Sequence, residues 1–336
     1  MLKERIEAFA ALGDRLSNLD VDTLQEWSQL AKSENNWFTE ENVKTALQSL
    51  TTWLTAEKLT TWTKNYTIKD KTARKIGVVM AGNIPLVGFH DMLCVLISGH
   101  ILYAKLSSQD TFLMKQIRQL LIEIDPYYND HFVIADKLNG MDAVIATGSD
   151  NTAKYFNYYF AGIPHIIRSN RSSVAVLSGE ETEEELALLG KDILQYFGLG
   201  CRNVSKVFVP AGYSFNKFYE SIAYLQPVIQ HNKYINNYEY NKSIYLVNRV
   251  PHLDNGFLLV TQSDNLVSPI SVLYYEEYSS LPELDIRLHK HGDKIQVVLS
   301  ANGWYNESEQ FGAAQCPSLL DYADGVDTMA FVTSIN

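Results

Sequence analysis

"KIGVVMAGNIPLVGFHDMLCVLISGHILYAKLSS", residues 75–108, sets two β-rich apolar runs on either side of a third that has helical length. "KIGVVMAGN" reads as a buried strand, "PLVGFHDMLCVLISG" as a buried helix and "HILYAKLSS" as a second strand. Asn83, Pro85, His90, Asp91 and His100 interrupt the apolar stretch from Ile76 to Leu106, so it reads as core strand and helix and not as a membrane span. The alternation then continues. "DTFLMKQIRQLLIEI" is a helix with Asp110 as its expected cap, "HFVIAD" and "MDAVIATGS" are strands, and "NTAKYFNYYFAG" is a helix.

Strands alternating with helices predict an α/β fold with a parallel, doubly wound sheet. Ligands of such sheets sit beyond the carboxyl ends of the strands. Those ends here are "AGNIP", "KLSSQD" and "ATGSDN", rich in the small polar residues that suit phosphate and ribose contacts. Lys105 ends a buried strand, so its ammonium either escapes to solvent or meets an anion. Asn83 reads as a turn residue or as an amide donor, and Ser149 as a helix cap or as a phosphate contact.

Outward from this block, residues 1 to about 65 read as helical, with start signals at Asp20 and Thr39 and an apolar stripe of Leu2, Ile6, Phe9, Leu12 and Leu16. On the other side, "GEETEEELALLGKDILQYF" is a helix with Leu186, Leu189, Ile193 and Phe197 as its buried stripe, and its glutamates read as a solvated face. A helix near "SFNKFYESIAYL" and strands at "SIYLVN", "GFLLVTQ", "ISVLYY" and "KIQVVLS" follow. The tyrosines of "NKYINNYEYNKSIY" read as surface or interface packing.

Composition limits the functional classes. The chain has 336 residues, 46% hydrophobic and 20% charged, with a net charge of −11 and no basic cluster to offset it. Nucleic acid and anionic membrane surfaces are therefore poor partners. The three cysteines, Cys94, Cys201 and Cys316, are widely spaced and contain no CxxC pair, so neither a disulfide framework nor a metal site is expected. The amphipathic start does not read as a signal peptide, and the expected setting is cytoplasmic.

"FGLGCRNVSKVFVP", residues 197–210, places Cys201 between glycine-containing turn residues and a strand built on Val204, Val207, Phe208 and Val209. Gly198 and Gly200 give the backbone freedom to turn there. A cysteine so placed is either a small buried hydrophobe or a nucleophile displayed at the tip of a turn. His90, His100 and His165 have apolar neighbours and read as core or loop histidines. Arg168, Arg171 and Arg202 are candidates for phosphate contacts or for ion pairs.

Four stretches in order resemble the aldehyde dehydrogenase superfamily, in the branch of the bacterial bioluminescence-type fatty acyl-CoA reductases. "GNIPL" is similar to the superfamily's Asn-containing strand end, "GHILYAKLSS" to the strand ending in a cofactor-binding lysine, "ATGS" to the turn near the cofactor pyrophosphate, and "FGLGCRNVSKVFV" to the nucleophile loop with its basic residue, Lys206. The resemblance implies an aldehyde-dehydrogenase-like fold with a doubly wound cofactor domain and a smaller α/β catalytic domain. The expected segments are a helical section over 1–74, a NAD(P)-binding Rossmann-like domain over 75–195, a catalytic domain over 196–310, and a segment over 311–336 that returns to the core. It implies reduction of an acyl-CoA thioester to an aldehyde through an acyl-cysteine at Cys201, with the Asn83 amide and the Cys201 N–H as oxyanion donors. Lys105, Ser107 and Ser108 would meet the adenosine ribose, and Thr147, Gly148 and Ser149 the pyrophosphate. Ser108 stands where NAD-using relatives carry a glutamate, which favours NADPH with NADH as second candidate. The implied partners are the acyl-CoA substrate and an acyl-activating or acyl-transferring protein.

The departures carry information. Where aldehyde-oxidising members place a glutamate that activates water, this chain offers Ile167, Arg168, Ser169 and Asn170. A reductase has no use for that water, so the loss fits reduction. Asn265 stands near the place of a glutamate that contacts the nicotinamide ribose. A reductase acting on an acyl phosphate or an acyl-carrier-protein thioester, and a non-catalytic partner-binding subunit, are the competing readings.

Overall fold

The two faces of the first sheet separate with a period of two, as strand geometry requires. The computed structural model describes residues 1–68 and 72–335 and divides the chain into two compact units, 1–170 with 318–336, and 171–317. In the first unit the parallel strands β1 (Lys75–Val79), β2 (Ile101–Lys105), β3 (Phe132–Ile134), β4 (Ala143–Thr147) and β5 (His165–Arg168) lie in the order β3-β2-β1-β4-β5. Ile76, Val78, Leu102, Ala104, Ala143 and Ile145 face one apolar core. Val79, Tyr103, Val144 and Ala146 face another. Gly77 lies between, where an added Cβ would sit 3.1–3.2 Å from Leu138, Met141 and Val144.

Helices α1 (Leu2–Ser17), α2 (Val21–Glu34), α3 (Glu40–Trp53), α4 (Ala56–Thr63), α5 (Phe89–Ile97) and α6 (Thr111–Ile124) contribute to the first core, next to the short α7 (Tyr128–His131). The helix α8 (Asp150–Tyr159) follows β4, and its Phe156 joins the second core with Phe160. The sheet is thus covered on both faces. Asp20 and Thr39 cap α2 and α3 as expected, accepting the Thr23 N–H at 2.7 Å and the Asn42 N–H at 3.2 Å.

Asp110 departs from its expected role. Its carboxylate makes no cap bond to α6 and instead accepts the Leu86 N–H at 2.7 Å. The α6 amides of Thr111 and Phe112 are taken by Glu34 at the end of α2, at 2.9 and 2.8 Å. Leu86, buried at φ 58°, is held in the left-handed region by that Asp110 bond. A distant carboxylate has displaced the local cap.

In the second unit, β6 (Ser172–Val176), β7 (Val204–Pro210), β8 (Leu253–Asp254), β9 (Leu259–Gln262), β10 (Val272–Tyr278), β11 (Ile295–Ser300) and β12 (Glu309–Gln310) form a sheet ordered β12-β11-β6-β7-β10-β9-β8. All neighbours are parallel except the β8–β9 pair. The helix α9 (Glu183–Leu194) packs against β7, and α12 (Leu281–Lys290) packs against β10. Between them in sequence come α10 (Asn216–Ser221) and α11 (Asn232–Val247). "SIYLVN", expected as a strand, is the last turn of α11, because the preceding "NKYINNYEYNK" carries the helix forward and buries Tyr234, Tyr238 and Asn241. Strand β6 and helix α9 belong with the second unit, and residues 318–336 with the first.

A buried ion pair lies inside the first unit. Arg168, 4% exposed at the end of β5, donates to Asp91 Oδ2 at 2.6 Å and to Thr328 Oγ1 at 2.6 Å. This removes Arg168 from the candidates for coenzyme A phosphates. Removing one partner of a buried pair leaves an uncompensated charge and costs about 3–5 kcal/mol. Asp91→Ala is therefore expected to lower unfolding stability by about that amount, and Asp91→Ala with Arg168→Met to recover much of it. Urea unfolding of the three proteins checks this; an equal loss in the single and double variants would refute the pairing.

Candidate active site

Helix α9 ends at Leu194, earlier than its apolar stripe suggests, and the chain then coils through three left-handed residues, Tyr196 (φ 51°), Phe197 (φ 59°) and Gly198 (φ 77°). That reversal turns Phe197 out of the helix stripe; it is half-buried beside His231 and not in the core. The residues 200–203 form a tight turn closed by the Asn203 N–H donating to the Gly200 carbonyl at 3.1 Å. Cys201 and Arg202 occupy its two central positions, and Cys201 is exposed. The Ser173 hydroxyl donates to the Cys201 carbonyl at 3.0 Å, tying the turn to β6.

Asn203, 2% exposed, holds the turn from beneath. Its Oδ1 accepts the Gly200 N–H at 2.8 Å, and its Nδ2 donates to the carbonyls of Asp192 at 3.0 Å and Gln195 at 2.8 Å. The residue after the nucleophile candidate faces the other way. Arg202 Nη2 donates to both oxygens of Glu309 at 2.9 Å, and its Nε donates to the Ala314 carbonyl. The segment 309–316 thereby lies along the turn, and Asp192 secures it again by accepting the N–H groups of Gly312 at 2.6 Å and Ala314 at 3.2 Å. Burial pushes the Asp192 carboxyl up to about 7, against the two N–H bonds that favour its charged form.

The three cysteines divide by environment. Cys94 is fully buried in α5, and burial holds its thiol well above the ordinary range. Cys201 and Cys316 are exposed. A thiolate is the reactive form, so Cys94 is inert by desolvation. Lys206, read as the basic residue of the nucleophile loop, lies inside β7, fully buried and paired with Glu276, which also pairs with Arg287. Arg202 and Lys206 are thus both committed to carboxylates. Glu181, expected on a solvated face, is 3% exposed and accepts the Ser178 hydroxyl at 2.8 Å and the Gly179 N–H at 3.1 Å.

In the first unit the carboxyl ends of β1, β2 and β4 bring the other candidates together. Strands β2 and β3 run outward on one side of β1, and β4 and β5 on the other, so the order reverses between β1 and β4. Asn83 lies half-buried in the bend after β1. Gly82 packs so closely on the β2 end that an added Cβ would meet Ser107 Oγ at 2.5 Å. Lys105 and Ser108 are exposed, so the ammonium reaches solvent. After β4, the Gly148 N–H donates to the Arg168 carbonyl at 3.2 Å, and Ser149 caps α8 by accepting the Thr152 N–H at 3.3 Å. The set comprises an exposed ammonium, two serine hydroxyls, a side-chain-free turn and a helix start. It suits a phosphate-bearing dinucleotide.

The segment 167–170 contains no carboxylate, yet Asp150 of α8 reaches it, accepting the Asn170 N–H at 3.3 Å. His90 and His100 are pushed below their ordinary values by burial, and bond to the carbonyls of Leu319 and Val332 at 3.0 Å. Both are core histidines, as their neighbours suggest. No helix among the described residues is long and apolar enough to cross a membrane, and none of their His, Cys, Asp or Glu groups could hold a metal ion.

The fold is that of the aldehyde dehydrogenases. A Mycobacterium tuberculosis aldehyde dehydrogenase complexed with NAD+ is similar over 89% of this chain and 73% of its own, at 10% identity and a TM-score of 0.63. An indole-3-acetaldehyde dehydrogenase complexed with NAD+ matches 89% of this chain and 72% of its own, at 12% identity and a TM-score of 0.65. The putative aldehyde dehydrogenase PutA from Anabaena variabilis matches 99% of this chain and 90% of its own, at 13% identity and a TM-score of 0.62. Within that class, the family described as acyl-CoA reductase (LuxC) matches residues 19–223, and the chain belongs to it. It is an enzyme of the aldehyde oxidoreductase type. No curated protein sequence matches it.

Asp192 gives the site a pH signature. Its ordinary value is 3.8 and its folded value about 7, so between these the folded chain binds more protons than the unfolded chain. Stability must then fall as pH rises through that window. Asp192→Asn removes this slope, so wild type should lose stability relative to the variant between about pH 4 and about pH 8. Denaturant midpoints across that range measure it, and parallel curves would contradict the assignment.

Proposed function

We propose that this protein reduces an acyl-CoA thioester to an aldehyde through an acyl group held on Cys201, with NADPH as the reductant. The observation that carries the reading is the placement of Cys201, an exposed thiol at the tip of a turn whose neighbours are tied into buried structure on both sides. Once deprotonated, the Cys201 sulfur attacks the thioester carbon. A new carbon–sulfur bond forms, the bond to the coenzyme A sulfur breaks, and coenzyme A leaves as a thiolate that takes up a proton.

The tetrahedral oxyanion needs fixed donors. The Cys201 backbone N–H and the Asn83 amide are the groups that the family resemblance assigns. A reduced nicotinamide, when bound, would supply hydride to the acyl carbon; the carbon–sulfur bond to Cys201 then breaks, the aldehyde leaves and the Cys201 thiolate is restored. Lys105, Ser107 and Ser108 would hold the adenosine ribose, and Thr147, Gly148 and Ser149 the pyrophosphate. An exposed ammonium at 105 and a serine in place of a carboxylate at 108 favour a 2′-phosphate at that strand end.

Two measurements test this. Incubation with acyl-CoA should add one acyl mass to the intact protein, abolished by Cys201→Ala and preserved in Cys94→Ala and Cys316→Ala. A positioned general base adds about 10²- to 10⁴-fold to such a hydrolysis. With no carboxylate in 167–170, the acyl mass should persist until NADPH is supplied and then leave as aldehyde. Rapid loss as free acid without NADPH would make the protein a thioesterase or an oxidising dehydrogenase.

The second measurement is a fluorescence titration of cofactor. NADPH should bind more tightly than NADH, and Ser108→Glu should weaken NADPH more than NADH. Equal or stronger NADH binding by the unaltered protein would defeat the NADPH assignment.

A further inference from the structure

The two buried side-chain amides at the cysteine turn are used differently. Asn203 is saturated: its oxygen takes the Gly200 N–H and its nitrogen reaches backbone carbonyls of Asp192 and Gln195. Gln315 is 8% exposed, and its Nε2 is buried with no hydrogen-bond partner among the described residues. That amide lies against the residue immediately before Cys201. Its Nε2 and Oε1 are 3.7 and 3.8 Å from the point a Cβ on Gly200 would occupy.

The segment bearing Gln315 is anchored on both sides of it in the fold. Asp192 takes the N–H groups of Gly312 and Ala314, and Arg202, the residue after Cys201, donates to the Ala314 carbonyl and to Glu309. The Cys316 N–H closes a turn on the Ala313 carbonyl at 2.9 Å. Native structures leave few buried donors unpaired, because each forfeits its hydration without return. Here the unpaired donor is held in place beside the nucleophile turn.

We propose that Gln315 is a further catalytic residue of the thioester site, its Nε2–H donating to the oxygen of the acyl group carried by Cys201. The inference rests on Cys201 as the acylated residue. As sulfur attacks, the carbonyl π electrons move onto oxygen, and they return when the bond to the leaving thiolate breaks. Gln315 supplies a hydrogen bond to that oxygen and transfers no proton, so the balance of the step is unchanged.

The test uses opposite signs of two effects. Gln315→Met removes the donor and fills the same volume with an apolar side chain, so the thermal midpoint should rise by about 2–4 °C. Loss of one oxyanion donor lowers acyl transfer by about 10²-fold, and the Cys201 acylation rate should fall towards that. Alkylation of Cys201 by iodoacetamide, which forms no oxyanion, should stay within about twofold. Gln315→Glu, an isostere unable to donate when ionised, should lose acylation similarly and covers the case in which Met fails to fold. Unchanged acylation in either folded variant, or a parallel fall in alkylation, would overturn the proposal. If acyl-CoA does not label Cys201 in the unaltered protein, the nucleophile reading itself has failed. Labelling at Cys201 that is indifferent to Gln315 refutes only the role of Gln315.

Discussion

Strands β1, β2 and β4 have apolar cores on both faces, and that constraint organises the first unit. A strand covered on both sides has no place for an unpaired polar side chain along its length, so polar groups are driven to its ends. Lys105, Thr147 and Arg168 are the last residues of their strands. The bends that follow carry Asn83, Ser107, Ser108 and Ser149. Close packing keeps these bends in register: Gly82 sits where any side chain would strike Ser107, and the buried carboxyl of Asp110 holds Leu86 in a left-handed conformation. The chemistry attributed to this unit follows from where burial ends.

The second unit meets the opposite demand, which is to expose one small side chain on a rigid loop. Cys201 has a single rotatable bond to its sulfur, so its position is set almost wholly by the backbone of residues 200–203. That backbone is fixed by amide and hydroxyl groups beneath it and by an arginine that reaches sideways. Two buried groups beside the turn are energetically costly there. Asp192 is a carboxyl in a site that disfavours its charge, and Gln315 has a donor with no acceptor among the described residues. Costs of this kind tend to gather at functional sites, where packing gives way to chemistry.

Arg168 is a structural residue. The chain there resembles the segment in which oxidising relatives place a water-activating carboxylate. In this protein the side chain turns inward, and Asp91 and Thr328 fix it. A long-lived acyl-cysteine needs water to go unactivated. A cationic side chain buried in an ion pair cannot serve as a base, since guanidinium stays protonated.

Much of this was legible in the chain itself. The α/β alternation from Lys75 onward, the caps at Asp20 and Thr39, the strand after Cys201 and the family resemblance all depend on local pattern, which sequence expresses directly. What failed was local reading where a distant group wins. "SIYLVN" is β-branched enough for a strand, but the helix begun at Asn232 runs through it. Asp110 resembles a cap, yet Glu34, 77 residues earlier, takes that place at Thr111. Asp192, Asn203, Glu309 and Gln315 have no motif that would mark them, because their surroundings are set by groups distant in sequence: Asp192 takes a backbone N–H 122 residues away and Glu309 the Arg202 side chain 107 residues away. The sequence by itself determined which segments form strands and helices and which cysteine sits in a turn. Only the tertiary structure decided which polar groups are satisfied and which are left unpaired, since that depends on partners brought together by folding.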